Sequence, residues 1–109
     1  MEAKILKYLF EKYPEEGCGV ILNKKGTLEW FPCENTAEDK LNSFKISAVD
    51  FASLSVQGEI HTIVHSHPNE EICELSEYDI KASEFLKIKY DVYAIPSGHK
   101  VEYLPSSKI

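Results

Sequence analysis

His65-Ser66-His67-Pro68, seven further residues, and then Ser76-Glu77-Tyr78-Asp79 form the most informative stretch of this 109-residue chain. The segment leading into it, Glu59-Ile-His-Thr-Ile-Val-His65, is rich in β-branched residues and reads as a central strand. Strand side chains alternate, so His65 and His67 leave the strand end on the same side and can face one metal ion. Pro68 predicts that the strand stops directly after the second histidine, with a polar loop over 66–75. Ser76 is placed to cap a helix over 77–87. Asp79, in its first turn, supplies a third ligand if that helix packs beside the strand end. Two nitrogens and one carboxylate oxygen leave one position of a tetrahedral Zn²⁺ open to water, the arrangement of a catalytic rather than a structural zinc. A plainer reading of Ser-x-x-Asp is a capping box that closes the helix with two local hydrogen bonds. Both readings can hold at once, because a capping serine can also face a metal site.

Outward from this stretch the pattern alternates between helix and strand. Residues 2–13 place Ile5, Leu6, Leu9, Phe10 and Tyr13 on one helical face, and Pro14 ends the helix. Gly17-Cys-Gly-Val-Ile-Leu22, the turn Asn23-Lys-Lys-Gly26 and Thr27-Leu-Glu-Trp-Phe31 read as a β-hairpin. A polar loop over 33–42 precedes a short strand predicted at Phe44-Lys-Ile46. A brief helix follows behind Ser47, with Val49, Phe51, Ala52 and Leu54 expected to be partly buried. Two strands, 91–95 and 100–104, flank the Pro96-Ser-Gly98 turn. The order is α-β-β-β-α-β-α-β-β, an α/β class chain with a mixed β-sheet flanked by helices.

Composition narrows the function classes. At 43% apolar and 11% aromatic residues the chain is a folded globule, expected to form a single domain over 1–109. Its apolar runs, such as Val20-Ile21-Leu22, are far short of the ~18 residues of a membrane helix, so no membrane association is expected. A net charge of −6 argues against nucleic-acid binding, which needs a basic stripe. All 12 basic residues are lysine, which removes the bidentate arginine clamps of phosphoryl transfer. Cys18, Cys33 and Cys73 are odd in number and lack CxxC spacing. Reduced thiols and an amphipathic rather than signal-like N-terminus predict a cytoplasmic location.

His-Ser-His-Pro, seven residues, Ser, two residues, Asp resembles the signature of the JAMM (MPN-plus) zinc metallopeptidases, which include the deubiquitinating-enzyme domain and its bacterial and phage-tail relatives. Tyr13-Pro14-Glu15-Glu16-Gly17-Cys18-Gly19 is similar to the Pro-x-Glu-x-Cys-Gly form of the bacterial members, and the match at Cys18-Gly19 selects Glu16 over Glu15. Asn35, the Phe44-Lys-Ile46 segment and Tyr93-Ala-Ile95 also follow the family's order of elements, so the resemblance runs over nearly the whole chain. It implies the JAMM/MPN (cytidine-deaminase-like) architecture and one Zn²⁺ per chain held by His65, His67 and Asp79. It further implies Glu16 as general base and Ser76 as a stabiliser of the oxyanion. The expected activity is hydrolysis of peptide or isopeptide bonds in a protein or peptide substrate. Compatible roles are trimming a ubiquitin-like or sulfur-carrier protein and peptidase action in phage tail assembly. The insertions that grip ubiquitin in eukaryotic members have no room in 109 residues, and the chain ends before an NlpC-type module could begin.

Other residues carry less. His61 has the parity of His65 but lies about 13 Å along the strand, too far for the same ion. His99 is expected in a solvated turn. Cys73 lies between the ligands and could approach the metal, though the ligand set is complete without it. Cys18 is expected to be a small buried residue, and Trp30-Phe31 to be core. Glu70, Glu71, Glu74 and Glu77 form an acidic loop over the site. Two other classes compete. A zinc deaminase would need His-x-Glu and a downstream Pro-Cys-x-x-Cys, and neither occurs. A non-catalytic MPN-type scaffold is the alternative that metal content would distinguish.

Overall fold

In the computed structural model, which describes residues 1–106, the elements run α1 (Glu2–Lys12), β1 (Cys18–Lys24), β2 (Thr27–Cys33), α2 (Ala48–Gln57), β3 (Glu59–Glu70), α3 (Glu77–Leu86), β4 (Lys89–Pro96) and β5 (Lys100–Tyr103). The strands form one mixed five-stranded sheet in the order β2-β1-β3-β4-β5. β3 and β4 are parallel and the other neighbours antiparallel. Parallel neighbours need a crossover, and α3 provides it, which brings the helix start back over the end of β3.

The alternation of strand side chains builds a core on each face. Cys18, Val20, Leu22, Ile63 and Tyr90 point to the side covered by α2 and α3, where Leu54, Phe51 and Ala82 pack on them. Ile21, Val64, Tyr93 and Ile95 point to the opposite side, against Ile5 and Leu9 of α1. His65 has the parity of Ile63, so both site histidines belong to the α2/α3 face. Gly19 shows why small residues sit in this hairpin: a Cβ there would meet the Trp30 ring and approach the Phe31 carbonyl oxygen to 2.6 Å.

Several expectations are corrected. β3 does not stop before Pro68 but pairs with β4 as far as Glu70. Ser66 N–H points toward β1, bonding Gly17 O at 3.0 Å, and Pro68 has the same parity. Its missing N–H therefore faces the side where β1 has already ended, and no ladder bond is lost. Phe44-Lys-Ile46 is no strand. Lys45 instead gives its N–H to the Asn35 side chain and takes one from Thr36 N, a side-chain clip outside the ladder. Phe10 and Tyr13 are substantially exposed, as are Val49 and Ala52 of α2; the residues of these helices that pack into the sheet core are led by Ile5 and Leu9 of α1 and by Leu54 and Phe51 of α2. No helix among the described residues is long and apolar enough to cross a membrane.

Candidate metal site

The end of β3 and the first turn of α3 meet on the α2/α3 face, and the meeting is held by local bonds at both ends. Ser76 Oγ accepts from Asp79 N at 3.0 Å while Ser76 N donates to Asp79 Oδ2 at 3.2 Å, a full capping box. The box fixes the rotamer of Asp79, which is only 1% exposed. Its Oδ1 then lies 2.7 Å from His65 Nε2, and its Oδ2 3.4 Å from His67 Nε2. One donor atom from each of His65, His67 and Asp79 falls within 4.8 Å of the others.

These contacts set the charges. Burial alone would push His65 down, but its hydrogen bond to Asp79 and the nearness of Glu16 outweigh it, and the imidazole pKa ends above its ordinary value. Burial opposes protonation of His67 too, yet bonds toward Asp79 and Cys73 carry it up to about 10. Burial would raise Asp79, and the two histidines win there as well, holding the carboxyl well below the usual carboxylate range. Without a metal, the group is thus a carboxylate held between two imidazole rings whose protonated forms it favours.

Glu16 lies just ahead of β1, buried, with Oε1 3.4 Å from His65 Nδ1. That approach lacks hydrogen-bond geometry, and His65 Nδ1 is left as a buried polar atom without a partner. Glu15 is exposed. Two side chains help fix Glu16's position, alongside the bond from Glu16 N–H to Lys40 O at 2.7 Å. Ser66, between the histidines, takes Gly17 N–H on its Oγ at 2.8 Å and gives its own N–H to Gly17 O at 3.0 Å, stitching the residue after Glu16 to β3. Asn35 donates to Glu16 O at 2.9 Å and to Ser43 O at 3.0 Å, tying Glu16 to the segment that carries Phe44. The Phe44 ring stacks on His65 with centroids 4.2 Å apart.

A cavity of about 430 Å³ is lined by Glu16, Phe44, His65, His67, Ser76 and Asp79, with Asn42, Ser43 and Tyr78 at its wall. All five sequence-predicted site residues therefore share one cavity. Ser66 and Phe44 had no such signal: a serine inside His-x-His and an aromatic in a polar loop are ordinary residues until the fold brings them close. Among the rest, His61 is exposed and bonded to Thr62 Oγ1. His99 is exposed as expected but also accepts Cys73 N–H on Nδ1 at 2.9 Å. Burial pushes the Cys18 thiol up to about 12 and that of Cys33 up to about 11, so both are inert packing groups.

The residues present fit a zinc ion. The donor set is two imidazole nitrogens and a carboxylate oxygen, the Ser76 bonds hold Asp79 in place, and His65 keeps a buried ring nitrogen without a hydrogen-bond partner.

The family described as prokaryotic homologs of the JAB domain matches residues 1–93. Tail tip assembly protein K of Escherichia phage N15 is 30% identical over 94 residues, 86% of this chain. The chain spans 38% of that relative's length. The solution structure of protein DSY2949 from Desulfitobacterium hafniense superimposes with a TM-score of 0.72 at 16% identity, covering 94% of this chain and 77% of the other. The crystal structure of a JAB1/MPN domain protein from Archaeoglobus fulgidus gives 0.54 at 16% identity, with 97% and 94% covered.

Proposed function

From the premise that this chain belongs to the prokaryotic JAB-domain family, we propose that residues 1–109 act as a zinc metallopeptidase that hydrolyses peptide or isopeptide bonds. The observation that carries the reading is the convergence of His65, His67 and Asp79 in one cavity with Glu16 at its edge. Zinc held by those three side chains would supply Lewis acidity and a water acidic enough to ionise near neutral pH. Glu16, anchored through Gly17 and Asn35, is the base that takes the water's proton and later passes it to the leaving amine. Ser76 uses a lone pair for the Asp79 cap, so its own hydroxyl hydrogen remains to be donated to the developing oxyanion. Phe44 keeps the His65 imidazole oriented by stacking on it.

The phage relative is named for tail tip assembly, which favours a protein substrate in that process over a ubiquitin-like or sulfur-carrier tail. Three free thiols among the described residues suit a cytoplasmic setting. Zinc content of protein purified without chelator, together with chelator-sensitive cleavage of a peptide library, is the test. Near one zinc per chain with cleavage is the expected result. A chain with no zinc and no cleavage would be the non-catalytic assembly module instead.

A further inference from the structure

The two nitrogens of His67 face different partners. Nε2 looks at Asp79, while Nδ1 lies 3.3 Å from Glu70 Oε1 and 3.9 Å from Cys73 Sγ. Donor atoms of His67, Glu70 and Cys73 all fall within 4.8 Å of one another. We propose that these three residues form a second, sulfur-containing metal position that competes with the first for His67. It rests on the reading above in one respect, that the first position also uses this histidine.

The geometry is close to what an ion needs. Around a tetrahedral zinc at ordinary bond lengths, nitrogen and oxygen donors stand about 3.3 Å apart and nitrogen and sulfur about 3.6 Å. The separations present, 3.3 and 3.9 Å, need little adjustment. The donors are also held in place. Asn69, at φ 66°, turns the chain back after Pro68. The loop is then pinned to the β4–β5 turn, by Cys73 N–H on His99 Nδ1 at 2.9 Å and by Ser97 Oγ donating to Glu71 O at 2.6 Å. Cys73 is buried against Val92 and Ala94, so its sulfur is directed rather than free to rotate into solvent.

Competition follows from the ring itself. A neutral imidazole has one nitrogen with a lone pair and one with a proton. An ion on Nδ1 leaves Nε2 protonated and bonded to Asp79, which removes His67 from the first position. The thiol gives up its proton as the metal–sulfur bond forms. Soft ions prefer the thiolate position, and hard or borderline ions the nitrogen and oxygen set. The second position is therefore an inhibitory one, filled by thiophilic metals or by zinc in excess.

Cadmium is the probe, added to the metal-free full chain and followed by its ultraviolet thiolate charge-transfer band. Wild type should develop the band to a plateau at one cadmium per chain. Cys73→Ser, nearly isosteric, should show none, and Glu70→Gln, at an exposed residue, should need about tenfold more cadmium. No band in wild type, or a band that survives Cys73→Ser, overturns the proposal. The two readings fail separately. Cys73→Ser should still take up one zinc. Wild type that binds zinc but shows no cadmium band loses only the second position, whereas a Cys73-dependent band with zinc uptake unaffected by Asp79→Asn would leave the second position standing and sink the first.

Discussion

Among the described residues two aspartates are buried, Asp79 at 1% and Asp91 at 2% exposure, and each sits between two basic side chains. Asp79 is held by imidazoles on the α2/α3 face at 2.7 and 3.4 Å, with a backbone N–H completing its shell. Asp91, on the α1 face, has Lys89 at 3.2 Å and Lys100 at 3.5 Å, both shared with Glu102, and its Oδ1 has no well-directed hydrogen bond. The difference is chemical. Imidazoles can trade a proton for a metal, and rigid rings on a strand hold their direction. Lysines stay protonated, coordinate nothing and reach in on flexible stems. One buried acid thus sits among groups able to exchange a proton for a metal, and the other among groups that are not.

The largest effect should come from dismantling the first of these. His67→Ala should release zinc and abolish turnover while the fold survives, since the sheet core does not use that ring; metal analysis at wild-type occupancy would refute the ligand assignment. Next, Glu16→Gln should keep zinc and fold but lose roughly 10²-fold or more in turnover, because an amide cannot take the water's proton. Glu15→Gln, at an exposed position, should stay near wild type. A dead Glu15→Gln with a live Glu16→Gln would reverse the assignment.

A smaller effect is expected on the structural side. Asp91→Asn should leave zinc and turnover unchanged and lower stability by about 1–2 kcal/mol in a denaturant titration, less than a fully buried pair because both lysines are partly exposed. Loss of zinc in this variant would erase the contrast between the two aspartates.

The smallest effect is a pH dependence of the metal-free protein. His67 is raised, so its contribution is complete below the ordinary imidazole value of 6.5 and is lost as pH climbs toward about 10. Asp79 is depressed, so its contribution is present above the ordinary carboxylate value and lost only as pH falls well below it. Melting temperature of the metal-free chain should therefore decline from pH 6.5 toward 10. Zinc affinity should rise over the same range, because binding needs neutral rings. Parallel trends for both would mean the two histidines are not the ligands.

Much of this was legible in the residues themselves. The His65/His67 pair, the Ser76–Asp79 box and the hairpin after Pro14 obey rules that act over two to four residues. Errors gathered where a local rule met a distant partner. Pro68 reads as a strand stop, yet its missing N–H costs nothing because β1 ends at that level. Phe44-Lys-Ile46 reads as strand, yet Asn35 and Thr36 occupy its backbone groups. Val49 and Ala52 read as partly buried, yet only one face of a short helix can touch the sheet.

By itself the sequence determined that His65 and His67 share one strand face and that Ser76 caps the helix carrying Asp79, since strand alternation and helix capping orient neighbouring side chains whatever the rest of the chain does. Only the tertiary structure decided that Ser66 and Asn35 hold Glu16 against His65, that Phe44 covers the ring, and that Cys73 reaches the other side of His67. Glu16 and His65 are 49 residues apart in the chain. Their meeting depends on the register of β1 against β3, which is set by burying Val20, Leu22 and Ile63 together on one face, an outcome of packing over the whole sheet that no short window of sequence contains.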